Sequence, residues 1–176
     1  MVPLEVVFFT VIAIFGLVGM VRGFLRELGV TLPLIVLLWA YSTLGERLLK
    51  LMEVGMTRVG HPLSAGTGDL VRFLFFAITL IFVTFISYQG ETLAFGGTDP
   101  PGIQGWLLAL LVGLVNGYLI AGTAWYYLDH YHYPVLVQLP LTPMAQTIAS
   151  YALPPIVLQP LLPFLVFFFI ILRIIR

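Results

Sequence analysis

Charged side chains fall along this chain in a few clusters, and between them lie long apolar runs. No Asp, Glu, Lys or Arg occurs between Glu5 and Arg22, between Glu27 and Glu46, between Arg72 and Glu91, or between Asp99 and Asp129. A helix needs about 20 mostly apolar residues to cross a bilayer. The pattern therefore predicts four spans, near 4–22, 28–45, 70–89 and 104–127. Aromatic residues support the boundaries. Trp39 and Tyr41 fall near the end of the second span, Tyr88 closes the third, Trp106 opens the fourth, and Trp125, Tyr126 and Tyr127 close it. Such rings favour the headgroup level, apolar on one side and wet on the other.

The connections read differently. Leu48, Leu49, Met52 and Met56 recur at helical spacing, with Glu46, Lys50 and Glu53 on another face. This predicts a short amphipathic surface helix near 46–57, with a Glu46–Lys50 pair, ended by Gly55, Gly60 and Pro62. A solvated loop is the alternative. Ser64–Asp69 reads as loop, with Asp69 capping the third span. Asp99 before Pro100 reads as the cap of the fourth.

From His130 to Leu172 no Asp, Glu, Lys or Arg occurs, yet seven of the twelve prolines lie there. Prolines this dense forbid one long helix before Pro163. Residues 129–176 thus form an apolar, Pro-rich tail, interfacial or partner-docking, with short helices near 142–152 and 156–172. The second of these is either a fifth short span or a docking segment, with Arg173 and Arg176 reaching a surface.

Composition settles the class. Of 176 residues, 60% are hydrophobic and 9% charged, where a soluble domain carries about 25% charged. The fold class is an all-α integral membrane protein, with a four-helix domain over 1–128 and the tail. Net charge is zero, so nothing favours nucleic acid. The absence of Cys excludes disulfides, iron–sulfur clusters and thiol catalysis. The first span lacks a basic leader and a clear cleavage site, so it is expected to be retained. Basic residues give conflicting votes on orientation.

Three constellations could carry function. Gly105, Ala109, Gly113, Gly117 and Ala121 recur every four residues in the fourth span, and Ala13, Gly16, Gly19 and Gly23 form a similar stripe in the first. Small residues let membrane helices approach closely. These stripes predict packing against each other or against a second copy. In RGFLRE, residues 22–27, Arg22 and Arg26 would share a helix face, as an anionic-lipid headgroup site, a hairpin corner or simply snorkelling side chains. DHYH, residues 129–132, offers a metal-like grouping without a known zinc pattern, and an interfacial polar cluster is the plainer reading.

Asn116 is the one strongly polar side chain expected near mid-span. No ionisable residue is expected at depth, which argues against an ion-coupled transporter or pump. No His is expected there for axial haem ligation. No GxSxG, HExxH or P-loop is present, so neither an enzyme nor a cofactor is predicted.

Residues 1–128 resemble the colicin V production protein family (CvpA). GLVGMVRGFLRELG, residues 16–29, is similar to that family's RGF-x-RE hairpin after a span with small residues. GGTDPPG followed by Gly113–Gly117 stands where the family has a G-x-D turn and a glycine-rich last span. Asn116 stands where many members carry Arg, and the tail departs from the pattern. The resemblance implies a bacterial cytoplasmic-membrane protein linked to export and the envelope, and no defined chemistry. The leading expectation is a non-enzymatic accessory or scaffold protein whose partners are lipids and other membrane subunits or a second copy. An export channel component, with Asn116 facing water, and an anionic-lipid binder are the alternatives.

Overall fold

The computed structural model describes residues 3–60, 65–89, 95–134 and 141–175. Its seven helices are α1 (Leu4–Arg22), α2 (Phe24–Arg58), α3 (Ala65–Gln89), α4 (Gly102–His130), α5 (Pro143–Tyr151), α6 (Pro154–Leu158) and α7 (Leu162–Ile175). The chain is an all-α multi-span membrane protein. Four helices are long and apolar enough to cross a membrane, or five when the bent tail pair, turning by 49°, is counted as one span.

The second span and the expected surface helix are one continuous 35-residue helix, α2. At 1.5 Å per residue it is about 52 Å long, well beyond the roughly 30 Å of a hydrocarbon core. Nothing between Tyr41 and Glu46 breaks a helix. Gly55 lies inside it, and the end comes at Arg58, with Gly60 beyond at a left-handed φ of 84°. Pro62 and Ser64 lie outside the described residues. The anticipated Glu46–Lys50 pair does not form. Instead Glu53 meets Arg72 of α3, and Arg72 also meets Asp69 at 3.0 Å. Asp69 sits within α3, four residues past its start, and does not cap it.

Helices α2 and α4 form the centre, with Leu34, Leu38 and Leu119 at 2% exposure or less. Helix α3 lies antiparallel to α2, joined at one end by Glu27–Tyr88, in the middle by Tyr41–Phe76 and at the other end by Glu53–Arg72. Helix α1 lies antiparallel along α4. A Cβ built on Gly19 would fall 2.9 Å from Gly113 Cα, and one on Gly117 2.9 Å from Ile12 Cα.

The tail folds back on the α4 C-terminal end. Thr142 caps α5 by accepting from Ala145 N at 3.1 Å, with Pro143 following as the first helical residue. The same hydroxyl donates to Glu5 of α1 at 2.6 Å. Ala145, Ala149 and Leu153 pack with Phe8 and Trp125. Trp125, expected at the headgroups, is covered by these residues, 3% exposed, and donates to the Tyr133 hydroxyl. The expected helix 156–172 is broken: α6 stops at Leu158, and α7 begins past Pro160. Leu162 and Phe169 of α7 join the main core beside α2.

Candidate functional site

The polar centre of the bundle is built on Glu27. Gly23, at φ 93°, separates α1 from α2, so the chain reverses there. A side chain at Gly23 would run into the Asp99 carboxylate. Asp99 in turn accepts from Leu25 N at 2.8 Å, and Phe95 N donates to Leu25 O at 3.3 Å. Asp99 thus satisfies an open N–H of α2, which has no side-chain cap of its own. This corrects its expected role: α4 begins after Pro101, and Asp99 serves the neighbouring helix.

With α2 starting there, Glu27 points inward and is 0% exposed. Three donors from three other helices converge on its carboxylate. Arg22 Nη1 of α1 donates to Oε1 at 2.9 Å. Tyr88 Oη of α3 donates to Oε2 at 3.0 Å, and Asn116 Nδ2 of α4 to the same oxygen at 2.9 Å. Asn116 Nδ2 also lies 3.0 Å from the Glu27 backbone oxygen, and its Oδ1 accepts from Thr31 Oγ1 at 2.8 Å. This fixes the amide orientation, because both Nδ2 neighbours are acceptors and the Oδ1 neighbour is a hydroxyl. Arg22 Nη2 donates to Tyr88 O at 3.1 Å, and its guanidinium lies 4.5 Å from the Tyr88 ring centre.

Asn116 is the fifteenth of the 29 residues of α4, so this carboxylate meets the middle of a spanning helix. Arg22, Glu27 and Tyr88 lie at the adjoining ends of α1, α2 and α3, and Glu27 is fully buried among them. Asn116 is itself 0% exposed, so it faces Glu27 and Thr31 rather than water.

The expected Arg22–Arg26 face does not exist, because the break at Gly23 places Arg22 on α1 and Arg26 on α2. Arg22 is held inward by Glu27 and Tyr88. The glycine stripes meet each other within one chain. Gly16 packs on Leu114 and Leu110, Gly19 on Ala109 and Gly113, and Gly113 on Phe15, Gly16 and Gly19. Two residues assigned to the stripes do other work. Gly105 passes the backbone of Pro100, and Ala13 is exposed while Ile12 holds the contact to Gly117. Ala121 is half-buried beside the Phe8–Trp125 cluster. Gly122, outside the stripe, makes room for Pro154.

Around DHYH, His132 Nδ1 lies 3.8 Å from Asp69, and His132 and Tyr133 adopt left-handed φ of 57° and 52°. Among the described residues no three His, Cys, Asp or Glu side chains converge as a metal site.

Sequence reasoning missed Glu27, Tyr88, Thr31 and the role of Asp99. Two signals pointed there: Thr31 lies one helical turn after Glu27, and a mid-span Asn116 needs a buried partner. The chain matches no family model, no curated protein and no solved structure.

Proposed function

We propose that this chain is a non-enzymatic, multi-span scaffold or accessory protein that packs against other membrane helices, as a subunit of a larger membrane complex or with a second copy. One observation carries the reading. The polar groups of the bundle centre close on one another, with Glu27 and Asn116 both fully buried, while α3 and α7 keep bare apolar faces. Ile81, Phe82 and Phe85 of α3 are 57–67% exposed, and Phe164, Phe167 and Phe168 of α7 are 56–73% exposed. Large aromatic faces of this kind suit a helix partner. The glycine faces of α1 and α4 are occupied by each other and are closed to a partner; we place the partner on α3 or α7, where the exposed aromatic side chains cluster. The proposed location is a bacterial cytoplasmic membrane, in keeping with the resemblance to the colicin V production family.

A photo-crosslinking residue at Phe167 tests this in cells. The reading expects a discrete crosslinked protein band, absent when the residue is moved to Leu17 on the exposed face of α1. Crosslinks to lipid alone at both positions contradict it.

A second reading, an export component, draws on the buried Glu27 carboxylate, since ionisable residues in spans mark ion and substrate pathways. It needs the Glu27 centre to open. Liposome flux that Asn116→Leu leaves unchanged removes Asn116 from such a path. The anionic-lipid reading is weakened by Arg22, whose Nη1 and Nη2 each already donate to a partner inside the bundle, Glu27 and the Tyr88 carbonyl.

A further inference from the structure

We propose that the part of α2 standing outside the membrane docks an acidic amphipathic helix of a partner protein. This surface lies apart from the bare faces of α3 and α7, so it stands or falls independently of a partner within the membrane. Glu27 and Glu46 bound the uncharged stretch of α2. That stretch is about 28 Å long, enough to fill a hydrocarbon core of roughly 30 Å. Tyr41 meets Tyr127 of α4, three residues before α4 ends at His130. Helix α2 runs on to Arg58, which is about 18 Å past Glu46. The headgroup layer on one side is only roughly 5–8 Å deep. Glu53 pairs with Arg72 in this region, so the start of α3 accompanies the extension.

The open face of the extension carries two neighbouring rows. Leu44, Leu48 and Leu51 recur at i, i+4 and i+7, and all three are exposed. Lys50, Val54 and Arg58 recur at i, i+4 and i+8 beside them and line a shallow hollow with Glu53 and Thr57. Leu51 is 70% exposed and Val54 50%. They lie about 8 and 12 Å past Glu46, at the outer edge of the headgroup layer and beyond it. Apolar side chains held in water at that height gain by being covered.

Charge names the chemistry of the partner. The side chains of Arg47, Lys50 and Arg58 are exposed and make no ion pair among the described residues. Glu53, the acid in the hollow, is taken by Arg72. Three open cations beside a leucine row fit a helix whose apolar stripe is edged with carboxylates, because complementary charge fixes the register while the apolar stripe supplies the contact. Anionic lipid headgroups could meet Arg47 and Lys50. They do not reach Arg58, which stands more than twice the depth of the headgroup layer above Glu46.

Fluorescence anisotropy tests the surface, with the full chain in neutral phosphatidylcholine nanodiscs and empty discs as the baseline. The probe is a labelled helical peptide with Leu at every third or fourth position and Glu between. Its twin carries Lys in place of Glu. The expected result is saturable binding of the acidic peptide that weakens as salt rises, with no saturable binding of the basic one. Lys50→Gln with Arg58→Gln should weaken binding roughly tenfold, and Leu51→Ala by a similar factor. Thermal unfolding should stay unchanged in each variant, because these side chains are exposed. Equal binding of the two peptides, or no saturable binding of the acidic one, overturns the proposal. If the acidic peptide fails to bind while phosphatidylglycerol gathers around the unmodified chain and not around the double variant, the face belongs to lipid instead.

Discussion

Glu27 and Asn116, 89 residues apart in sequence, hold α2 to α4 through two contacts from one amide. Asn116 Nδ2 lies 2.9 Å from the Glu27 carboxylate and 3.0 Å from its backbone oxygen. A carboxylate in the interior of a membrane bundle is costly unless other groups satisfy it. Here Arg22, Tyr88 and Asn116 do so from three helices. The pair therefore sets the register of four helices at one point, and it leaves the outer faces apolar.

Asn116→Leu removes that amide and leaves the Glu27 carboxylate one donor short, while the Thr31 hydroxyl keeps the Glu27 backbone oxygen as acceptor. The expected loss is about 1–2 kcal/mol of stability, read by reversible unfolding in mixed micelles. An unchanged midpoint would show that the amide contributes nothing to the packing.

Arg22→Ala leaves Glu27 buried without its cation. The expected loss is roughly 3 kcal/mol, the lower end for a broken buried pair. Glu27→Gln in the same chain should recover part of it, because a neutral amide needs no counter-charge. A double-mutant cycle measures this, and strictly additive effects would contradict the coupling.

How much of this was legible in the sequence follows from what each signal reports. Apolar runs report length, so the expected spans fall within a few residues of α1, α3 and α4 and of the start of α2. Small-residue spacing reports close approach, so Gly16, Gly19, Gly113 and Gly117 stood out, although the stripe cannot name its partner. The charge at Glu46 looked like the end of a helix, yet charge does not stop a helix leaving the membrane, and α2 runs on to Arg58. Glu27 was hidden because a carboxylate beside two arginines reads as a surface turn. Only the reversal at Gly23 turns it inward, and that depends on Asp99 from a distant loop.

Gly19→Leu should disrupt the α1–α4 seam, because the position already abuts the Ala109 carbonyl and Gly113. Gly55→Ala is the counter-case: it lies in α2 with nothing within 4 Å of an added Cβ. It should gain about 0.5–1 kcal/mol from helix propensity. Thermal melts of the two variants, moving in opposite directions, check both.

Asp99→Ala removes the cap that serves α2 from across the loop. A loss of about 1 kcal/mol is expected, with faster hydrogen exchange at the Leu25 amide. Exchange that stays as slow as in the unmodified chain would show that the amide has another partner.

The mass of the gently solubilised native particle tests the central claim most directly. The account predicts a particle larger than the 19.6 kDa chain, with a second copy or another membrane protein at fixed stoichiometry. A lone chain surrounded only by lipid and detergent, under conditions that keep α7 folded, would contradict it.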